Sequence, residues 1–190
     1  MGKILPIVLS PDPILNEVSK PVEKINDELR KLMDDMLATM YNASGIGLAA
    51  VQVGELKRIL VMDTSYEAGQ DHHCHNHDKD CCSEKVTVSN SNPTFMVNPE
   101  IIERSKELYT YKEGCLSFPE AYSDVKRPKI VKVKFLDYDG NEQTAQYDGI
   151  LSVCVQHEID HLDGITFVDH ISRMKREIIM KKLLKKRRSM

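Results

Sequence analysis

One short pattern near the C-terminal end constrains the fold of this 190-residue chain more than any other feature. Residues 156–164 read Gln-His-Glu-Ile-Asp-His-Leu-Asp-Gly and contain His157-Glu158-x-x-His161. On a helix, positions i and i+4 share one face about 6 Å apart along the axis, so both imidazoles can reach one ion. Glu158 lies off that line, where its carboxylate can hold a water molecule. The pattern predicts a helix with one face turned into a metal-dependent hydrolytic site.

Composition limits the class of protein that surrounds this helix. The chain is 41% hydrophobic and 29% charged, which is typical of a soluble protein with one core. No run approaches the roughly 18 apolar residues of a membrane span, and the N-terminal residues carry prolines without a signal-peptide pattern. Five cysteines, an odd number, favour reduced thiols in a cytoplasmic setting over a disulfide framework. We expect one domain over residues 1–190, no membrane partner and a monomer.

Residue spacing predicts three helices. The first should follow an N-cap at Asn26 and end near Tyr41. The motif helix should run over 153–162 and stop at Gly164. The last should span 170–188 after a cap at Asp169, and its predicted apolar positions are Ile171, Met174, Ile178 and Leu184.

Short apolar and alternating runs predict the strands. The ranges are 58–63, 94–98, 100–111, 130–136 and 143–147, and the last two flank a hairpin turn at 138–141. Because strands precede helices instead of alternating with them, the fold class is α+β. We expect mixed and antiparallel strands around a central helix that carries the His-Glu motif, with a C-terminal helix beside them.

Two segments have unusual composition. Residues 67–92 are polar and rich in Cys and His without a paired zinc spacing, which favours a disordered loop over a second metal site. Residues 173–190 carry nine Lys or Arg and one Glu, although the whole chain has a net charge of −3. A basic terminal helix is either a solvated face or the contact surface for an acidic partner.

A catalytic metal site usually has three protein ligands, so a third must be sought. Phe167 occupies the position of the third histidine in the metzincin pattern and cannot ligate, and Glu177 lies among basic residues. Cys154 is one turn before His157, but it lies too far from His161 along a helix for the three to surround one ion. Cys115, between Gly114 and Pro119, can turn a thiolate inward or be a core thiol. On these grounds a metalloprotease and an accessory protein that binds metal or RNA both stay open.

Three segments in this order resemble the peptide deformylase family. They are Gly45-Ile46-Gly47-Leu48-Ala49-Ala50-Val51-Gln52, Glu113-Gly114-Cys115-Leu116-Ser117, and Gln156-His157-Glu158-Ile159-Asp160-His161. The similarity begins at 10–15 and extends to the last helix. The resemblance implies a hydrolase that removes the formyl group from N-formylmethionine at the start of new polypeptides.

The same resemblance implies roles for individual residues. Cys115, His157 and His161 would hold ferrous iron, which Zn²⁺, Ni²⁺ or Co²⁺ can replace. Glu158 would be the general acid and base, with the Gln52 amide and the Leu116 N–H donating to the substrate carbonyl oxygen. The substrate pocket would be lined by Ile46, Gly47, Tyr111, Ile150, Val153 and Cys154.

The resemblance also implies partners and shows two departures. Formylmethionyl nascent peptides would be the substrate, and the basic C-terminal helix would dock on the ribosome near the exit tunnel. Glu113 and Arg127 would form a supporting ion pair. Tyr122 stands where many relatives have arginine near the substrate peptide, and the 67–92 segment is longer than the usual connection.

Overall fold

The computed structural model describes residues 2–65 and 91–188. The segment predicted as a disordered Cys/His loop over 67–92 lies outside the described residues, apart from its last two positions. The described residues form helices α1 to α3 and strands β1 to β7. Their bounds are α1 Asp27–Asn42, β1 Gly47–Ala49, β2 Ile59–Met62, β3 Thr94–Arg104, β4 Leu108–Cys115, β5 Phe118–Pro128, β6 Ile130–Leu136, β7 Glu142–Asp148, α2 Gly149–Leu162 and α3 Arg173–Arg188.

A five-stranded sheet in the order β1-β2-β3-β6-β7 lies between α1 and α2. All four residues of strand β2 are apolar because each of its faces packs against a helix. Leu60 and Met62 pack in the cluster of α2, whereas Ile59 and Val61 pack in the cluster of α1. Because both faces of the strand are covered, the strand is apolar without alternation.

Helix α2 is the central element of the described fold. Its residues from Ser152 to Leu162 are buried except for Asp160, as expected of a helix packed on all sides. The sheet covers one side, and the β4–β5 hairpin lies on the other. Gly164 has a φ of 73°, and a Cβ there would lie 2.5 Å from the Asn16 carbonyl oxygen, so only glycine fits this stop.

The predicted α+β class is confirmed, with several corrections to its elements. All paired strands in the described ranges are antiparallel, and the only parallel pairing there is an isolated bridge between Lys20 and Lys57. The predicted strand over 100–111 is two strands, because the chain turns at 105–107. Strand β5 was not predicted, and α2 begins at Gly149, four residues before the predicted start.

The last helix also differs from its prediction. It begins at Arg173, and Asp169 caps the preceding short turn, where its Oδ2 accepts from the backbone N–H of Thr166 at 2.9 Å. Leu183 is the buried anchor of this helix and packs with Phe118 of β5. The apolar positions named from the sequence within the helix are exposed, namely Met174, Ile178 and Leu184. None of the helices in the described ranges has the length and apolar character needed to cross a membrane.

The Asp63 carboxylate forms a buried anchor after β2. It accepts the Tyr41 hydroxyl at 2.7 Å and the backbone N–H groups of Ser65 and Asn92, each at 2.9 Å. Burial raises the pKa of Asp63, but these hydrogen bonds outweigh it and the net pKa is lowered. The carboxylate therefore holds the chain on both sides of residues 66–90 at one point.

Candidate metal and catalytic site

Two chain segments bring the predicted metal ligands together. Helix α2 supplies His157 and His161, whose ring centroids are 5.0 Å apart. Cys115 ends β4 beside a register shift in the β4–β5 pairing, and such an irregularity re-aims a side chain. The Cys115 Sγ lies 3.2 Å from His161 Nε2, and one ligand atom from each of the three residues lies within 4.8 Å of the others.

The donor set fits a transition-metal ion. A tetrahedral ion with bonds of about 2.3 Å to sulfur and about 2.1 Å to nitrogen holds those donors about 3.6 Å apart, close to the spacing seen here. A thiolate with two imidazoles suits zinc or iron, and it leaves a fourth position for water or substrate. Burial lowers the pKa of His161, which favours the neutral imidazole that ligation requires. Burial also lowers the pKa of His157, but its contacts with Cys115 and Glu113 outweigh that and raise it, so a bound ion must displace a proton from this ring. These three side chains could therefore hold one ion.

Gln52 is fixed next to the thiol by both ends of its amide. Its Oε1 accepts the Ala49 N–H at 2.8 Å, so its Nε2 points toward Cys115 Sγ at 3.4 Å and Ser117 Oγ at 3.2 Å. The amide is thereby oriented as a donor toward the cluster. The motif contained Ser117, but sequence reasoning assigned no role to this hydroxyl.

The Glu158 carboxylate is buried on the cavity side of the cluster. Its Oε2 has no hydrogen-bond partner in the described structure, and burial raises the pKa of Glu158 to about 7. Gly47 explains how the carboxylate fits. A Cβ at Gly47 would overlap Glu158 Oε1 and lie 2.8 Å from Cys154 Sγ. A proton acceptor with an open lone pair and a pKa near neutrality suits general acid–base chemistry.

A chain of ion pairs extends from His157 to the surface. The Glu113 carboxylate contacts His157 Nδ1 at 2.8 Å and accepts Arg127 Nε at 2.6 Å. Arg127 Nη1 donates to Asp160 at 2.6 Å, and Asp160 contacts His170 Nε2 at 2.7 Å. Burial raises the pKa of Glu113, but its bonds with His157 and Arg127 outweigh that and lower it to about 2. The predicted Glu113–Arg127 pair is confirmed, whereas Asp160 and His170 were not foreseen.

We expect Arg127→Met to destabilise the protein by roughly 3–5 kcal/mol, because it leaves the buried Glu113 carboxylate without its main counter-charge. Both side chains are almost fully buried, at 4% and 3% exposure. Urea unfolding monitored by circular dichroism would measure the loss. The matched control is Lys129→Met, which removes an exposed pair with Glu107 and should cost far less. Equal unfolding free energies for the two variants would contradict the role given to the buried network.

A cavity of about 550 Å³ opens on the site. Gln52, Cys115, Leu116, His157 and Glu158 line it, and His161 lies fully buried behind them. Each predicted substrate-pocket position is also in its wall: Ile46, Gly47, Tyr111, Ile150, Val153 and Cys154. Sequence reasoning gave no role to Lys112 and Ala121, which also line the cavity and lie outside the three motifs.

The two positions at which other metalloprotease families carry a third metal ligand are Phe167 and Glu177, and neither contributes a ligand to this cluster. The Phe167 ring is buried and stacks near the His157 ring, with centroids 6.3 Å apart. Glu177 is on the exposed side of α3 and pairs with Arg173 at 2.9 Å. Neither a metzincin-like nor a thermolysin-like ligand set is therefore assembled among the described residues.

Comparison with known proteins decides the family. The family model described as polypeptide deformylase matches residues 4–177. The chain belongs to this family. A peptide deformylase of Mesorhizobium japonicum is 47% identical over 182 residues, which cover 96% of this chain and 92% of the relative.

Solved structures of the family have the same fold. A peptide deformylase of Ehrlichia chaffeensis superposes with a TM-score of 0.82 at 41% identity and covers 98% of both chains. A class I type b peptide deformylase of Acinetobacter baumannii, crystallised with Met-Ala-Ser bound, superposes with a TM-score of 0.75 at 34% identity and covers 90% of this chain and all of that one.

Family membership settles the reaction. Peptide deformylases are metalloenzymes that hydrolyse the formyl group from N-formylmethionine on nascent peptides, and this chain is a hydrolase of that kind. The prediction of a deformylase is thus confirmed, and the protease alternative is excluded.

Proposed function

We propose that Cys115, His157 and His161 hold one ferrous ion and that Glu158 transfers the protons of the reaction. The observation that carries this assignment is the cluster of three ligand atoms within 4.8 Å of one another, next to a buried carboxylate oxygen without a partner. When bound, the ion supplies Lewis-acid chemistry that acidifies water and polarises a carbonyl. The thiolate and two imidazoles are compatible with iron and also with Zn²⁺, Ni²⁺ or Co²⁺ as substitutes.

Glu158 has the position and acidity for both proton transfers. Its carboxylate takes a proton from water as the water oxygen adds to the formyl carbon, and later gives that proton to the leaving nitrogen. The carbon–nitrogen bond then breaks, releasing formate and the free amine of methionine. A pKa near 7 makes the group able to accept and return a proton at neutral pH.

Two donors stabilise the charge that develops on the formyl oxygen. Gln52 Nε2 is held toward Cys115 and Ser117 and can donate to that oxygen. The Leu116 backbone N–H, in the turn after β4, is the second donor. Because Gln52 Oε1 is already bonded to Ala49, its amide needs no reorientation during the reaction.

The cavity wall is suited to a methionine side chain at the substrate N-terminus. Ile46, Tyr111, Ile150 and Val153 provide apolar contacts, and burial raises the pKa of the Cys154 thiol so that it stays neutral there. Gly47 lets the Glu158 carboxylate lie against the cavity wall, where a side chain at position 47 would displace it. A solved relative from Acinetobacter baumannii has Met-Ala-Ser bound, which supports binding of a peptide that begins with methionine.

The deciding experiment measures formate release from formyl-Met-Ala-Ser by protein purified and loaded with iron without oxygen. The acetyl analogue is the control, because its extra methyl group should not fit beside Gly47 and Glu158. Formate release together with one bound iron per chain supports the proposal. A protein active only with another metal would overturn the iron assignment alone.

We further propose that the enzyme works as a cytoplasmic monomer that docks on the ribosome through α3. The side chains of the candidate site come from one chain, so no second copy is needed to complete it. On the outward face of α3, Met174 and Ile178 are 71% and 50% exposed and lie in line with the exposed Lys181. Such a basic and apolar stripe fits RNA phosphates and neighbouring protein near the exit tunnel.

We expect Lys181→Ala to weaken ribosome binding at low salt and to reduce the slope of log affinity against log salt by about 1. Lys181 is exposed and lies outside the catalytic cavity, so tripeptide deformylation reports independently that the variant is folded. Sedimentation with purified ribosomes over a salt series measures both quantities. Lys132→Ala on β6, an exposed lysine paired with Glu103, is the control. Identical slopes in the two variants would refute docking through this face.

A further inference from the structure

A second groove shares a wall with the catalytic cavity. It has a volume of about 430 Å³ and runs between β5 and α3. Residues Pro119–Tyr122 of β5 line both spaces. A chain that leaves the cavity over this part of β5 therefore enters the groove directly.

Tyr122 forms the ridge between the two spaces. Its side chain is 61% exposed, although its ring packs so closely on β4 that a Cβ at Gly114 would lie 2.5 Å from the ring Cε1. The Lys112 ammonium lies 5.8 Å from the ring centroid. The ring is thus a fixed aromatic surface at the cavity rim, and its exposed face is available to a peptide.

The far wall of the groove combines apolar and basic side chains. Ile179 and Leu183 form its apolar part, and Lys182, Lys185 and Lys186 carry the positive charge. Glu120 is the one acidic residue of the lining, and its carboxylate accepts from Lys186 Nζ at 2.7 Å. With three lysines and one glutamate, the lining has a formal charge of +2.

We propose that this groove binds the residues of the nascent peptide downstream of the formylmethionine and favours acidic side chains there. The inference rests on the proposed function, which places the peptide N-terminus in the catalytic cavity. In an extended peptide, the residues three to five positions after the formylmethionine lie roughly 10–17 Å from it. The shared β5 wall and the apolar Ile179 and Leu183 suit a peptide better than RNA.

The test uses formylated hexapeptides, formyl-Met-Ala-Ser-Xaa-Xaa-Ala, with Glu, Gln or Lys at both Xaa positions. We expect kcat/KM to fall in the order Glu, Gln, Lys, with roughly a threefold difference between Glu and Gln at low salt. The ratio should approach one in about 1 M salt, because exposed charges are then screened. Lys182→Glu should abolish or invert the order.

Lys126→Glu is the matched control. This lysine is exposed on β5 outside both spaces, so the variant has the same net charge as Lys182→Glu and should keep the wild-type order. Formyl-Met-Ala-Ser separates the two levels of the proposal. If the tripeptide releases no formate, the proposed function is wrong. If the tripeptide is turned over normally but kcat/KM is equal for the three hexapeptides, only the proposal that the groove binds the peptide is wrong. Unchanged hexapeptide order in Lys182→Glu with weaker ribosome binding would assign the groove to RNA and overturn the peptide site.

Discussion

Replacing Glu158 with glutamine should leave one metal ion bound and lower kcat for deformylation by at least about 10²-fold. Glutamine keeps the size of the buried side chain but cannot accept a proton from water. Glu158 is not one of the three clustered ligand residues, so the variant should load metal as the wild type does. Metal content by atomic emission and formate release from formyl-Met-Ala-Ser would measure the two quantities on the same samples.

The control for this substitution is Glu107→Gln. Glu107 is exposed next to β4 and pairs with Lys129, away from the cavity, so its neutralisation should leave kcat unchanged. A Glu158→Gln enzyme that kept its metal and turned over within a few fold of the wild type would remove Glu158 from the proton-transfer role. Loss of the metal in that variant would instead mean that the carboxylate is itself a ligand.

Cys115→Ala should abolish stable metal binding and deformylation together. Loss of a residue that only supports a ligand typically costs 10–100-fold in metal affinity, and loss of the ligand itself should cost at least about as much. The Cys115 thiol lies in the cluster, with its Sγ 3.2 Å from His161 Nε2. Competition with a metal-sensitive chelator gives the affinity, and formate release gives the activity.

Cys154→Ala is the matched control for metal binding. Cys154 is the other described cysteine, and its Sγ donates to the Ile46 carbonyl oxygen at 3.4 Å instead of joining the cluster. This variant should bind metal as tightly as the wild type. If Cys115→Ala also kept full affinity and activity, the ligand set would have to be sought elsewhere.

The clustering of Cys115, His157 and His161 could be predicted because much of it follows from local sequence. The i, i+4 spacing of His157 and His161 requires a helix, and Asn26 and Gly164 marked helix ends through their own hydrogen bonding and φ preference. The family motifs then supplied Cys115. By contrast, the contact of Asp160 with His170 joins groups whose encounter depends on how α2 packs against the turn before α3.

Strand β5 escaped prediction because polar residues occupy part of its buried face. Ala121, Ser123, Val125 and Arg127 point inward along the strand, and Arg127 is buried only because Glu113 and Asp160 neutralise it. The alternation of apolar and polar residues that predicts a strand is therefore interrupted in the sequence. Helix α3 was predicted, but its buried residue Leu183 was not, for a different reason. Its apolar residues over 178–184 are nearly contiguous, so the sequence alone could not decide which face lies on β5.

Because of the hydrogen bonds to Asp63, the number of residues between Ser65 and Asn92 can change without changing the shape of the active site. Because Ser65 and Asn92 donate to the same carboxylate, these two residues are held close together. The entropic cost of closing a loop rises only slowly with its length, by about 0.6 kcal/mol per doubling. Insertions and deletions between these two anchor points can thus accumulate without displacing β1, whose neighbour Ile46 accepts the Asp63 N–H at 2.9 Å.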